Sequence, residues 1–428
     1  MNVSLIAFYI IAILSLINFT RIIVMLVGAD IYDIRAARNR TVTKRLYSPT
    51  ISIVIPAYNE DIGVIRTLVS VMNNNYQKKQ IIVVDDGSTD RTYAVLRNFQ
   101  KQHPRVFSIV RQKNGGKAVA INNAITNVVT GDLVMVLDAD SLIAPDGLRR
   151  MTAHFKDRRI IAAASNVKII NHRSVLAYAQ RFEYLISYRM KRALNVMNME
   201  YIVGGVGSTF RKSAILKVGL FDTDTITEDI DLTVKLIREF GNRKYKIHYA
   251  ADCVTYTEHV LNVKSLIKQR YRWKYGRFQT LLKNQVLFFN RSSKYDYRLT
   301  WYQLPNALFG EIVLLLEPVL VGYILYVSLR YAETTSILSV YVIVTGFILL
   351  MLAGDDSETL KTKINLSLIL PLAYFVMYIL TFVEFMAVIK SIGQVKKLFT
   401  RELHVSSWEH VERLGEPVLI PNEATNLS

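Results

Sequence analysis

Four short, nearly continuous apolar runs, each closed by polar residues, constrain this chain more than any other feature. They are ISIVI (51–55), QIIVVD (80–85), RVFSIV (105–110) and LVMVLD (133–138). Runs without polar alternation read as strands buried on both faces, the kind that parallel sheets covered by helices contain. Residues 60–73, 90–102 and 116–129 between them carry helical spacing. Repeated strand–helix–strand units predict an α/β fold with a right-handed, Rossmann-like, mostly parallel sheet. No GxGxxG follows the first run, so a dinucleotide site is not supported.

Such sheets bind ligands at the carboxyl ends of their strands. There the chain places Pro56-Ala57-Tyr58-Asn59-Glu60, then Asp85-Asp86-Gly87-Ser88-Thr89-Asp90, then Asn114-Gly115-Gly116-Lys117, and last Asp138-Ala139-Asp140. Taken singly, Ser88-Thr89-Asp90 is an ordinary helix cap, Asn114-Gly115-Gly116 an ordinary turn and DAD a solvated loop. All four along one sheet edge suit a nucleotide instead. Acidic groups would hold uracil or ribose, Lys117 a phosphate, and Asp138 with Asp140 a hard divalent cation across a diphosphate.

The formal charge of +18 leaves three partners open: nucleic acid, an anionic membrane, or a negatively charged substrate. Much of that charge flanks apolar segments and no DNA- or RNA-binding motif occurs, which argues against nucleic acid. The lone Cys253 excludes an intramolecular disulfide framework and suits a reducing compartment. No Cys/His cluster has zinc spacing, so any metal is expected on oxygen ligands.

Residues 142–226 continue the mixed α/β pattern, and 175–199 reads as a helix with Tyr178, Tyr184 and Tyr188 at near-helical spacing, a pattern of packing more often than of sugar contact. The loop Gly204-Gly205-Val206-Gly207-Ser208 is either a plain turn or a close approach to substrate, with Gly207 and Ser208 as candidate acceptor contacts. Thr227-Glu228-Asp229 opens a helical segment at 230–241. Its carboxylates either cap that helix or supply a base that deprotonates an attacking hydroxyl. In Gln269-Arg270-Tyr271-Arg272-Trp273, helical phase puts Gln269, Arg272 and Trp273 on one face. That face suits a diphosphate beside a sugar ring, or anionic lipid.

Residues 4–27 are long and apolar enough to cross a bilayer. Arg35, Arg38, Arg40, Lys44 and Arg45 follow them, so the expected topology puts the N-terminus outside and the next domain in the cytoplasm. Segments 306–329, 336–353 and 365–389 are further candidate spans; Glu311 and Glu317 in the first are candidates for lining a polar path. Three full crossings would leave Lys390, Lys396, Lys397 and Arg401 outside and Asp355-Asp356-Ser357-Glu358 inside, against the usual charge bias, so 306–329 is expected to be partly re-entrant or interfacial, with the tail back in the cytoplasm.

The order PAYNE, DDGSTD, NGGK, DAD, TED and QRYRW resembles the membrane-embedded, processive family 2 glycosyltransferases, which include cellulose, chitin, hyaluronan and poly-N-acetylglucosamine synthases. The resemblance spans about Ile51 to Trp273, and TED followed by QxxRW is its specific part. It implies a GT-A fold, a UDP-sugar donor, Mg²⁺ or Mn²⁺, and inversion at the anomeric carbon. Carried over, Ala57, Tyr58, Glu60, Asp86 and Lys117 would contact UDP. Asp138 and Asp140 would meet the diphosphate and metal, and Asp229 would be the base, with Glu228 beside it. Gln269 and Arg272 would bind the diphosphate, and Trp273 with Gly207 and Ser208 the acceptor.

DTITEDIDLTVKL looks most like the poly-N-acetylglucosamine branch and points to UDP-N-acetylglucosamine. Two features depart from the family: no proline lies near His259, and no cellulose-synthase-type gating motif or cyclic-dinucleotide domain occurs. The implied organisation is an anchor at 1–30, a cytoplasmic catalytic domain at 48–290, membrane or interfacial helices at 304–392 and a tail at 393–428, in the plasma membrane. The implied partners are the growing polysaccharide, the bilayer and small membrane or export subunits, with no nucleic acid. Hyaluronan, chitin or cellulose-type synthesis, and single-sugar transfer to a lipid, stay open as alternatives.

Overall fold

The computed structural model describes residues 3–40, 47–170, 174–331, 334–355 and 358–394. A long helix, α1 (Val3–Arg40), precedes the sheet domain. The four apolar runs form strands, separated by helices: β1 (Ile51–Ala57), α2 (Val64–Met72), β2 (Lys79–Asp85), α3 (Thr92–Gln102), β3 (Ser108–Arg111), α4 (Lys117–Asn127) and β4 (Leu133–Val136). Alternate residues enter two cores. Val54, Ile82, Val84, Val134 and Val136 pack on one face, and Ile53, Ile55, Ile81, Val83, Leu133 and Met135 on the other. Each such side chain contributes about 1.5–3 kcal/mol by leaving water.

The chain continues through β5 (Leu142–Ile143), α5 (Gly147–His154), β6 (Ile160–Ile169), α6 (Val175–Val196), β7 (Ser208–Arg211), α7 (Lys212–Lys217), α8 (Glu228–Phe240) and β8 (Lys246–Thr257). The eight strands lie in the order β3-β2-β1-β4-β7-β6-β8-β5. Strand β1 pairs in parallel with β2 on one side and β4 on the other. The chain order therefore reverses at β1, and the crevice at its carboxyl end is where a ligand fits. The parallel pattern stops at β7, which runs antiparallel to both β4 and β6.

Asn262, whose side chain accepts from Ser265 N–H (2.8 Å), caps α9 (Val263–Lys283). Three apolar helices follow: α10 (Leu304–Tyr331), α11 (Thr334–Ala353) and α12 (Leu360–Gly393). Among the described residues, the helical stretch Arg298–Arg330 is long and apolar enough to cross a membrane. Leu360–Leu372 and Met377–Gly393, the two parts of α12, meet at 73° and make a second such element only if taken as one span. The sharp bend falls in α12, whereas 306–329 lies within the continuous helical stretch Arg298–Arg330. Leu366 and Leu370 pack with Phe182 and Leu185 of α6, while Leu380 and Val383 pack with Ala179 and Leu266. Both arms of α12 therefore lie on the sheet domain, and Lys390 sits over the Tyr271 ring of α9 at 4.4 Å.

The acidic loop after α11 has a local reason to face the domain. Lys168 pairs with Asp355 and, at 3.6 Å, with Glu358; Arg192 reaches Asp355 at 3.7 Å. Arg189 and Arg192 also bind Asp33 of α1, the latter at 2.6 Å. Buried basic groups thus offset the charge of Asp355 and Glu358. Glu311 lies against α9, paired with Arg277 and with Lys274 at 3.1 Å, so it docks α10 to the domain rather than standing unpaired in a path. The expected tail lies outside the described residues from 395 onward.

Candidate active site

The polar clusters converge at the carboxyl end of β1, each held by its neighbour. Asp86, buried, accepts from Gly115 N–H (3.0 Å), Gly116 N–H (2.8 Å) and the Gln112 amide (2.7 Å), tying the loop after β2 to the start of α4. Gly87 makes that approach possible. Its φ is +73°, and a Cβ there would lie 2.7 Å from Asn114 N. Asn59 N–H donates to Ser88 Oγ (3.0 Å), Thr89 N–H to Asn59 Oδ1 (2.9 Å), and Glu60 N–H to Thr92 Oγ1 (2.8 Å), closing the first loop onto the second. Ala57 ends β1, and its carbonyl accepts from Asp86 N–H at 2.9 Å; Tyr58, half-buried, follows it. A Cβ placed on Gly63 would be 3.3 Å from Glu60 Oε2 and 3.0 Å from Ala139 O, so Glu60 reaches toward the DAD loop.

Lys117 gathers the carboxylates. Its Nζ lies 2.7 Å from Asp138 Oδ1 and 3.1 Å from Glu228 Oε1. Asp229 joins them from the first turn of α8, where its Oδ1 accepts from Ile230 N–H (2.8 Å). For Asp229, burial and the adjacent Glu228 push the carboxyl up to about 6, against the opposing pull of Lys117. For Lys117, burial opposes the charge, but Asp138, Glu228 and Asp229 outweigh it and hold the pKa above the usual lysine range. The result is a carboxylate ionised near neutral pH beside a fixed ammonium, an arrangement suited to proton transfer next to an anionic leaving group.

The glycine loop closes this site through Gly205. A Cβ there would lie 3.3 Å from both Asp229 Oδ2 and Lys117 Nζ and 3.6 Å from Asp138 Oδ2. The candidates Gly207 and Ser208 sit deeper. Gly207 turns the chain at φ +70° against Ser165 and Thr255, and Ser208 is buried in β7 opposite Val136. The nearby Asp140 is buried, its Oδ1 accepting from Ser141 Oγ at 2.9 Å. Gln269, Arg272 and Trp273 lie on α9; Gln269 Oε1 accepts from Arg270 at 3.4 Å.

A comparison with protein families matches residues 52–219 to the Glycosyl transferase family 2 model. The match makes residues 52–219 a family 2 glycosyltransferase domain. Poly-β-1,6-N-acetyl-D-glucosamine synthase of Staphylococcus aureus (strain COL) is 34% identical over 271 residues, 62% of this chain and 63% of that enzyme. The synthase of the same name from Staphylococcus epidermidis is 36% identical over 236 residues, 55% of this chain and 56% of that enzyme. The matched part thus spans less than two thirds of either relative. Among solved structures, a mannosyltransferase from Pyrobaculum calidifontis, determined with GDP-mannose and Mn²⁺, superposes with a TM-score of 0.55 at 20% identity, covering 88% of this chain and 96% of that one. That likeness supports a GT-A-like α/β fold.

Two residues, Gly205 and Arg270, stand out only in three dimensions. Gly205 lies in a loop with several glycines, where spacing does not tell which one meets the carboxylates. Arg270 falls off the face shared by Gln269, Arg272 and Trp273, yet it is fully buried. It binds Glu183 at 2.6 Å and lies over the Trp273 ring at 4.1 Å. Its signal was the unbroken alternation of basic and aromatic residues in QRYRW. The tyrosines of α6 pack as expected: Tyr184 on Tyr188 (5.8 Å) and Tyr188 on Tyr249 (5.9 Å).

Proposed function

We propose that this chain is a processive, inverting glycosyltransferase that polymerises a β-linked polysaccharide from UDP-N-acetylglucosamine and moves it across the plasma membrane. The observation that carries the reading is the convergence of Asp229, Lys117, Asp138 and Gly205 at the crevice beside β1. The donor assignment rests on the names of the Staphylococcus relatives.

In the proposed reaction the acceptor hydroxyl is placed against Asp229. Its oxygen attacks the anomeric carbon from the face opposite the diphosphate while the carboxylate takes its proton. The new glycosidic bond forms as the bond from carbon to diphosphate oxygen breaks, and UDP departs with both electrons of that bond. Lys117 offsets the charge left on the diphosphate, and Arg272, a half-buried guanidinium of α9, adds a second cation. Asp86, Glu60, Ala57 and Tyr58 form the proposed uridine end, Gln269 meets the diphosphate, and Trp273, Gly207 and Ser208 form the acceptor side.

The oxygen donors of Asp138 and Asp140 fit Mg²⁺ or Mn²⁺. Two carboxylates on one loop are what such ions use when substrate phosphates and water complete the shell. No group of three His, Cys, Asp or Glu side chains able to hold a metal occurs among the described residues, so this ion would need donors from the substrate or water. When bound, the ion would neutralise charge on the leaving diphosphate.

We place the catalytic domain in the cytoplasm, with α1 and α10 in the bilayer. Leu16, Ile17, Val319 and Leu329 on these helices are exposed, the surface that lipid would cover. The growing polymer and small export subunits complete the proposed partners.

Asp229→Asn tests the reading. Transfer from UDP-N-acetylglucosamine should fall at least about 10²-fold while UDP still binds. Undiminished polymer synthesis by this variant would remove Asp229 from the base role.

A further inference from the structure

Helix α9 touches the site twice. Its residues Gln269, Arg272, Gly276, Gln279 and Lys283 recur at alternating steps of three and four, so they form one stripe along the helix. The first two carry the proposed diphosphate contacts. The last three grip the loop that leads into α8. Gln279 Oε1 accepts from Ile226 N–H (3.1 Å), and its Nε2 donates to Asp224 O (2.9 Å), so both ends of one amide hold the backbone on either side of Thr225. Lys283 pairs with Asp222 at 2.5 Å and Asp224 at 2.9 Å. Gly276 is buried against Thr227, the residue that begins α8. A Cβ there would lie 2.6 Å from Thr227 Cγ2 and 2.9 Å from Thr227 Cβ.

We propose that Gly276, Gln279 and Lys283 are positioning residues, a clamp that fixes the Asp229 end of α8 to the same helix face that holds the diphosphate. None of the three touches Lys117, Asp138 or Glu228; they act through the 222–227 loop and, where Lys283 reaches Asp231 at 3.6 Å, through the first turn of α8. Two groups that must lie on opposite sides of the reacting carbon are then set by one rigid helix. This rests on the reading of Asp229 as the base.

The test uses the full-length protein in lipid nanodiscs, reading UDP release from UDP-N-acetylglucosamine and UDP affinity by titration. Gly276→Ala should lower kcat roughly tenfold to 10²-fold, the scale of a sub-ångström to ångström misplacement, with UDP affinity within about twofold of wild type. Thr227→Ala removes Oγ1 and Cγ2, the two atoms that a methyl at 276 would meet first, and leaves Cβ at 2.9 Å, so Gly276→Ala/Thr227→Ala should recover part of the loss. Gln279→Glu keeps the acceptor for Ile226 N–H and loses the donor to Asp224, and should fall between wild type and Gln279→Ala in kcat.

Unchanged kcat in Gly276→Ala and Gln279→Ala would overturn the clamp. So would UDP affinity falling in step with kcat, or a double variant no better than Gly276→Ala. Failure of the base reading looks different: Asp229→Asn stays active, whatever coupling links positions 276 and 227. If Gly276→Ala does not fold, the Gln279 pair decides alone.

Discussion

Lys117→Met should shift the pH dependence of transfer in a direction and by an amount the site dictates. In the wild type one ammonium faces three carboxylates, Asp138, Glu228 and Asp229, and it lowers the Asp229 pKa that burial and Glu228 raise to about 6. Removing it leaves the burial and the like charges unopposed, so the Asp229 midpoint must rise. A unit charge about 4 Å away at an effective dielectric near 20 is worth about 4 kcal/mol. The Lys117 side chain is 20% exposed, so solvent screening takes a large part of this. About one to two pH units remain. A base with a midpoint near 6 is about 90% ionised at pH 7, and at a midpoint of 7 to 8 only about 50–10%, so protonation alone costs about twofold to tenfold at pH 7. The assay is kcat for UDP release between pH 5 and 9. The acid limb should move upward, and part of the lost rate should return at pH 9. A flat loss with the limb unmoved would refute the coupling of Lys117 to Asp229.

Gly205→Ala should lower kcat roughly tenfold, because the added methyl stands 3.3 Å from Asp229 Oδ2 and Lys117 Nζ; wild-type kcat would show that the loop moves freely away. Arg192→Met leaves Asp33 and the buried Asp355 short of a partner. It should cost about 3 kcal/mol of stability, read as a lower melting temperature, and an unchanged melt would show that the Arg192 ion pairs add nothing to the hold on α1. Asp140→Ala should abolish activity that depends on added Mg²⁺ or Mn²⁺, and full wild-type activity in excess chelator would refute the metal requirement.

The parallel half of the sheet was legible because its strands are buried on both faces, which writes unbroken apolar runs into β1, β2 and β4. The start of α8 was legible too, since Glu228 and Asp229 are side chains that a helix N-terminus favours whether or not they do chemistry. The second half was harder. Strand β6 runs through Ala162, Ala163 and Ala164, residues with no strand preference, and it is held by β8 across a register shift between Ser165 and Asn166. The fate of the acidic loop was not readable at all. Its partners Lys168 and Arg192 come from distant segments, and local charge says nothing about pairing across more than 150 residues. For the same reason Gly205 emerged as the glycine beside Asp229 and Lys117 only in three dimensions.

The central claim meets its most direct test in UDP release by the purified protein in lipid, run against a panel of UDP-sugars with Mg²⁺ or Mn²⁺, with the products sized on a gel. The account predicts release from UDP-N-acetylglucosamine above all others, together with a product of high molecular mass. Release without polymer, or only when a lipid acceptor is added, would contradict processive synthesis and make QRYRW a membrane-surface helix.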